Sequence, residues 1–430
     1  MGDPTHPNLQ DIGRRRQGEI YLRGAAGFAP KIPTDPARLE EAAKAVLAPK
    51  AAEYIDGRAG AGRTACANRA AFDKWAIVPR VLNDVSQRTM SIELLGASLP
   101  SPLLLAPVGV LELAHRDADL AVARAAASVG VPMIFSNQAS TPMEACAAAM
   151  GSAPHWFQLY WSRDEALVES FVHRAEACGC SAIVLTLDTT MLGWRTGDLD
   201  SGYLPFLSGM GIAQYTSDPV FREGLEKSQP VAQTAPPWPM ITPSLAATAL
   251  AQKRNWPGPW SAKLFSSEPR RAVECFMTTY SRPDLQWSDL PRLRAMTRLA
   301  ILLKGVLHPD DARRAVDAGM DGIVVSNHGG RQIDGEIGAL DALPAVVDAA
   351  GKFPVLFDSG IRTGADIFKA LSLGARTVCI GRPYVYGLAL AGEKGVADVI
   401  RNLLAELDLT MGLAGCRSVA DLTRARLKPA

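Results

Sequence analysis

An α/β fold in which eight parallel strands close into a barrel is what this 430-residue sequence predicts. Eight short runs rich in Val, Ile and Leu alternate with Ala-rich stretches of helical length between residue 101 and the C-terminal region. These runs are apolar at successive positions and do not alternate with polar residues, as expected of strands covered on both faces by a core and by helices. No Gly-rich dinucleotide fingerprint follows the first run, which counts against the structural alternative, an open doubly wound sheet. Together these features specify a (β/α)8 TIM barrel.

In chain order, residues 1–36 are polar and contain Pro4, Pro7, Pro30, Pro33 and Pro36. Their basic run Arg14-Arg15-Arg16 reads as a solvated arm or a subunit contact. Residues 37–56 have helical spacing and end in Glu53-Tyr54-Ile55-Asp56 before a Gly-rich stretch. Residues 1–100 are thus expected to form an N-terminal arm and a helical lid or approach to the barrel, with the barrel spanning 101–418. Strands are predicted at 102–106, 131–136, 155–160, 181–187, 299–306, 322–325, 354–357 and 377–380. Helices are predicted between them, for example at 117–128, 163–177 and 309–318, the last carrying Asp310 and Asp311 where the helix dipole favours anions.

Between the fourth and fifth strands, 188–298 is a far longer connection than barrels ordinarily carry. It holds Pro219, Pro230, Pro236, Pro237, Pro239, Pro243, Pro257 and Pro259, with Trp238, Trp256, Trp260 and Trp287. Aromatics at this density argue against a disordered linker, so a partly ordered excursion over the active-site face is expected. Two helical segments, 384–391 and 394–411, close the barrel, and 419–430 reads as a basic tail.

Composition narrows the function classes. Hydrophobic residues make up 48%, charged residues 21%, and the net charge is +1 with the charges dispersed. This balance carries no footprint for nucleic acid or an anionic membrane. No apolar run approaches the roughly 18–20 residues that span a bilayer, and the N-terminus lacks a signal-peptide core. The seven cysteines are scattered and read as buried thiols of a reducing compartment, hence a cytoplasmic protein; Cys178 and Cys180 have no second pair to complete a metal site.

The chemistry concentrates in Ser326-Asn327-His328-Gly329-Gly330-Arg331-Gln332, directly after a strand. His328 is a base able to titrate near neutrality, and Arg331 is a fork suited to a carboxylate. Gly329 and Gly330 let the backbone turn sharply between them. A base and a carboxylate clamp on one loop point to proton abstraction from a small carboxylic acid. Asp358-Ser359-Gly360-Ile361-Arg362 and Gly381-Arg382 end the seventh and eighth strands, the usual phosphate site of such a barrel, where Arg362 and Arg382 can neutralise the anion. Lys304 is the only charge in its strand and needs a negative partner.

The run from Ser326 to Gln332 resembles the active-site signature of the FMN-dependent 2-hydroxy acid oxidising family, and the likeness extends from about residue 54 to about residue 418. It implies a TIM barrel, bound FMN, a 2-hydroxy acid substrate, His328 as catalytic base and Arg331 as carboxylate ligand. It further implies that Asp188 orients and charges His328, and that Lys304 stabilises the reduced cofactor. Tyr54, Tyr160 and Arg195 match substrate-binding positions. Pro107, Val108 and Gly109 match the segment along the cofactor edge; Ser136, Gln158, Thr186 and Ser326 match its hydrogen-bonding residues. Family barrels are often tetramers, so a homo-oligomer is expected. With no haem domain in sight, O2 is the simplest electron acceptor. Whether the proton leaves the hydroxyl or Cα stays open.

Three features are similar to the lactate 2-monooxygenase members: Leu105 to Glu112, with Gly109 where the oxidases usually have Ala; Ser136 to Ser140; and Gly193 to Asp200. Their implication is L-lactate oxidised and decarboxylated in one closed site, with Gly109 leaving extra space and the 188–298 insertion slowing product escape. The alternatives are an oxidase releasing the 2-oxo acid and H2O2, and a flavin-binding barrel without catalysis.

Overall fold

The computed structural model describes Leu9, residues 11–227 and residues 242–430. Pro4, Pro7, Pro230, Pro236, Pro237, Pro239 and Trp238 lie outside the described residues. Eight strands form a closed parallel barrel: β1 (Leu103–Leu105), β2 (Met133–Phe135), β3 (His155–Leu159), β4 (Ala182–Thr186), β5 (Ala300–Lys304), β6 (Gly322–Val325), β7 (Val355–Phe357) and β8 (Thr377–Ile380). Closure comes from β8 against β1, with Cys379 opposite Leu104.

The strand pleat divides the apolar residues into two cores. Leu104, Ile134, Val184, Leu302, Val324, Leu356 and Cys379 face the barrel axis. Their neighbours, such as Leu103, Leu105, Ile183 and Leu303, face the surrounding helices. A hairpin, Ile92–Leu94 with Ala97–Leu99, adds Ile92, Leu94 and Leu99 to the inner core. Being apolar on both faces is what suited these runs to a covered parallel sheet.

The N-terminal region departs from the expected single helical stretch. Pro36–Val46 and Pro49–Asp56 are separate helices, with Leu47 extended between them. Pro49 has no N–H to donate and disfavours helical backbone before it, so it starts a helix and cannot continue one. Arg16 is not merely solvated: it donates to Asn402 and pairs with Asp398 on the C-terminal helix. That helix, Arg382–Leu413, breaks at Ala391 and Gly392. Gly387 and Gly395 lie against each other across the break, where neither has room for a Cβ. The last residues, read from sequence as a basic tail, include the strand Leu427–Pro429, which pairs antiparallel with Trp75–Ile77.

Within the insertion, helices Pro219–Lys227, Pro243–Asn255 and Glu268–Thr279 are described. An aromatic cluster holds them down. Tyr215 is fully buried and edge-on to Phe171 of the barrel layer, to Phe221 and to Phe276. Its hydroxyl donates to Asn137 after β2 at 2.9 Å. All seven cysteines are free, but Cys66 is exposed and Cys178 and Cys275 are half-buried, so the thiols are not uniformly buried as the sequence suggested. No helix of the described residues is long and apolar enough to cross a membrane.

Candidate active site

At the C-terminal ends of the strands lies an open cavity. Most of the residues singled out from sequence line it: Tyr54, Pro107, Val108, Gly109, Ser136, Gln158, Tyr160, Arg195, Lys304, His328, Arg331, Asp358, Ser359, Gly360, Arg362, Gly381 and Arg382. Asp188, Thr186 and Ser326 stand one layer behind and act on that wall through hydrogen bonds.

His328 has φ of +57°, and Gly329 and Gly330 follow at +65° and +76°. A left-handed conformation costs a non-Gly residue about 1–2 kcal/mol, so the surroundings must hold it. The backbone N–H of His328 donates to Ser326 Oγ, and that of Gly329 to Ser359 Oγ. Gly330 packs so closely on the helix Arg63–Asp73 that a Cβ would stand 2.6 Å from the Ala65 nitrogen. The imidazole Nδ1 is 2.7 Å from Asp188 Oδ1, while Thr189 Oγ1 donates to the same carboxylate oxygen. An ionised carboxylate only accepts, so Nδ1 carries the proton and Nε2 keeps its lone pair.

Electrostatics reinforce that protonation state. Burial alone would raise Asp188, but the charges of His328 and Lys304 outweigh it and bring its pKa down to about 2. Burial holds His328 below the ordinary imidazole value, with Lys304 and Arg195 adding to the effect against the opposing pull of Asp188. The imidazole is therefore a neutral acceptor at neutral pH. Lys304, only 4% exposed, would lose its charge by burial were it not for Asp188 and Asp358, which raise its pKa. Its ammonium donates to Ser326 at 3.0 Å and lies 3.4 Å from Asp358. The negative partner expected for it is thus a pair of carboxylates.

Arg331 and Arg195 bring two guanidinium groups to one wall. Burial first, then Arg195, lowers Arg331 to about 9. One Arg331 nitrogen donates to the carbonyls of Tyr54 and Gly57, capping the helix Pro49–Asp56, and the guanidinium stacks 5.2 Å over the Tyr54 ring. Arg195 donates to Arg331 O and Gln332 Oε1, with its nearest carboxylate, Asp198, at 4.0 Å. Two neighbouring guanidinium groups, Arg195 buried and Arg331 half-buried, suit an anion with two oxygens.

At the far end the two arginines differ. All three nitrogens of Arg382 are used on the carbonyls of Ile55, Gly329 and Gly57. The half-buried Arg362 guanidinium donates to Ile361 O, with no salt bridge among the described residues. On the same cavity wall, at Gly381 and Arg382, starts the helix Arg382–Leu413, whose positive dipole end suits an anion. A guanidinium with no salt bridge beside a helix start suits a phosphate, and the cavity wall runs from that end to Lys304. On the opposite wall, Ser136 donates to Gln158, which donates to Thr186 at 3.0 Å.

One sequence argument fails here. A Cβ on Gly109 would meet the Gln138 carbonyl oxygen at 2.9 Å and Gln138 Cβ at 3.0 Å. Gly109 lets two loops close on each other and does not widen the cavity. Wall residues that had been given no role include Thr189, Leu192, Tyr280 and Cys379. Thr189 follows Asp188 directly and Cys379 shares the inward register of β8, so both were recoverable. Tyr280 directly follows the helix Glu268–Thr279 of the insertion and carries no local signal.

Comparison with known proteins agrees with this geometry. Residues 43–429 match the model of the FMN-dependent dehydrogenases. The chain belongs to the FMN-dependent dehydrogenase family. Its cofactor is FMN, and the family oxidises 2-hydroxy acids. It is 44% identical over 410 residues to the FMN-dependent alpha-hydroxy acid dehydrogenase qulF of Penicillium citrinum, covering 95% of this chain and 94% of that one. To an L-lactate oxidase of Lysinibacillus sphaericus it is 41% identical over 406 residues, covering 94% and 95%. A crystal structure of mandelate oxidase with (S)-4-hydroxymandelic acid superposes with a TM-score of 0.75 at 34% identity, covering 93% of this chain and 99% of the other.

Proposed function

We propose that this enzyme oxidises a short L-2-hydroxy acid, L-lactate foremost, and acts as an L-lactate 2-monooxygenase that converts L-lactate and O2 to acetate, CO2 and water. The observation that carries the oxidation step is the His328–Asp188 contact at 2.7 Å, with the other ring nitrogen free of protein partners among the described residues on a wall shared with Arg331 and Arg195. Bound FMN supplies the two-electron acceptor that links the hydroxy acid to O2.

The chain's own groups do the rest. Arg331 and Arg195 hold the substrate carboxylate and orient C2 toward the base. Nε2 of His328 takes the proton, and the ionised Asp188 stabilises the imidazolium that results. Tyr160, raised to about 12 by burial and then by Asp188, stays a neutral hydroxyl donor beside the reacting carbon. Lys304 offsets the negative charge that develops at its end of the cavity. Arg362, with Gly360 and Gly381, holds the phosphate, while Arg382 acts mainly by fixing the helix end that carries Tyr54.

Retention of the keto acid is supported by the insertion, which contributes Thr189, Leu192, Arg195 and Tyr280 to the cavity wall. A roof that delays escape keeps pyruvate beside the peroxide formed from O2, and the two react to give acetate, CO2 and water. The alternative, an oxidase that releases pyruvate and H2O2, is favoured by the relative named L-lactate oxidase. Aerobic turnover of L-lactate with catalase present separates them: acetate as main product supports the monooxygenase, and stoichiometric pyruvate the oxidase. The scattered free thiols suit a reducing cytoplasm, and a homo-oligomer is proposed, checked by light scattering of the purified enzyme.

A further inference from the structure

Gln332 closes the signature run, yet nothing in the proposed chemistry uses it. Its carboxamide is fully engaged. Nε2 donates to Asp188 O at 2.8 Å and to Met191 O at 3.0 Å, while Oε1 accepts from Arg195 Nη2 at 3.1 Å. Turning the amide over would set its NH2 against a guanidinium and its oxygen against two carbonyls, so the network admits one orientation. The surrounding backbones touch as well. A Cβ on Gly193 would stand 2.5 Å from Arg331 O and 2.7 Å from Gln332 O, and Arg195 Nε reaches Arg331 O at 3.4 Å. The amide therefore sits where the loop after β4 meets the loop after β6. The first loop carries Asp188 and Arg195; the second carries His328 and Arg331.

We propose that Gln332 is a positioning residue: by tying Asp188 and Arg195 to the His328 loop, it sets the distance between the base and the second carboxylate clamp. This rests on the roles assigned above to His328, Asp188 and Arg195. The task needs two N–H donors and one acceptor on a single planar group of this reach, which no other side chain supplies. Glu keeps the acceptor toward Arg195 but opposes two carbonyl oxygens with a third acceptor. Met has the length and neither function. Asn has the functions and lacks one methylene.

The test uses FMN-loaded enzyme carrying Gln332→Glu, Gln332→Met or Gln332→Asn. For Gln332→Glu and Gln332→Met, kcat/KM for L-lactate falls on the order of a hundredfold, as sub-ångström to 1 Å misplacement of catalytic groups does. The fall is shared between a raised KM, from the displaced Arg195, and a lowered kcat, from the displaced Asp188. Gln332→Asn falls less. The dissociation constant of pyruvate, read without turnover from the visible absorbance of the bound flavin under anaerobic conditions, rises in the same order. The acid limb of kcat/KM supplies a readout that mere loosening of the fold leaves in place. His328 faces Asp188, which raises its pKa, and Lys304 and Arg195, which lower it; in Gln332→Met and Gln332→Asn, which add no charge, a displaced Asp188 moves the limb to lower pH.

Variants with wild-type KM, kcat, pyruvate affinity and acid limb overturn the assignment. So does a uniform loss with the acid limb unmoved. Should Gln332→Met fail to load FMN, Gln332→Asn still decides between these outcomes. If unaltered enzyme is not reduced by any 2-hydroxy acid, the functional reading itself falls and this one with it; if it is reduced and the variants match it, only the role of Gln332 falls.

Discussion

The loop after β6 and the insertion after β4 wall the same cavity but are held by different physics. Around His328, position is set by polar contacts: Lys304 to Ser326, Ser326 to Asp358 at 2.6 Å, Gly329 N–H to Ser359, and Asp188 to His328. Each is directional, and each leaves from a strand end. Around Tyr280, position is set by aromatic packing. Tyr280 stacks on Phe276 with centroids 5.0 Å apart; Phe276 tilts against Phe206 at 5.1 Å; Phe206 meets Tyr54 edge-on at 6.5 Å. Such contacts fix a roof without fixing a proton. On this reading the strand-end loops, including the first residues of the insertion with Asp188 and Arg195, supply the chemistry and the aromatic part of the insertion the enclosure, so damage to the two should separate in experiment.

The sharpest break falls on the polar side. His328→Gln keeps FMN bound, and its rate of anaerobic reduction by L-lactate drops by ~10²–10⁴-fold or more, since the base is gone while the clamp remains. Stopped-flow absorbance checks this; near-normal bleaching would remove His328 from the mechanism. Arg331→Lys follows, with kcat/KM down on the order of 10²-fold. A lysine cannot both cap the carbonyls of Tyr54 and Gly57 and offer a second nitrogen to the cavity. Its loss should show in KM as well as in reduction rate.

On the aromatic side the effect is smaller and of another kind. Tyr280→Ala opens the roof beside Phe276 and leaves the rate of flavin reduction close to that of the unaltered enzyme, because neither the base nor the clamp is removed. The product ratio shifts from acetate toward pyruvate, measured by chromatography with catalase present. An unchanged ratio would deny the insertion its part in retention. Smallest is Gly109→Ala, whose Cβ meets the Gln138 backbone: stability falls by about 1–3 kcal/mol, the usual range for overpacking, and Tm falls with it. A variant of unchanged Tm whose product ratio moves strongly would restore Gly109 as a space-making residue.

The same contrast explains what was legible in the sequence. Strands buried on both faces write themselves as contiguous apolar runs, so the barrel was readable from periodicity, while most of the cavity wall came from the resemblance of the strand-end residues to the family. The break before Pro49 was missed within the expected 37–56 stretch, although proline dictates it. The pairing of Leu427–Pro429 with Trp75–Ile77 was not readable, because a three-residue edge pair has no periodicity to detect. Nor was the roof: Phe206, Tyr215, Phe276 and Tyr280 are scattered along the insertion and meet only in the folded chain. The space expected at Gly109 depended on which way a missing side chain would point, which backbone geometry decides.

The central claim is that the groups gathered around His328 oxidise a 2-hydroxy acid. Mixing FMN-loaded enzyme with L-lactate in the absence of air tests it directly. The account predicts loss of the yellow absorbance at a rate that saturates with L-lactate and depends on His328. Persistent absorbance with L-lactate and with every other short 2-hydroxy acid would contradict it and leave a barrel that binds flavin without turning over.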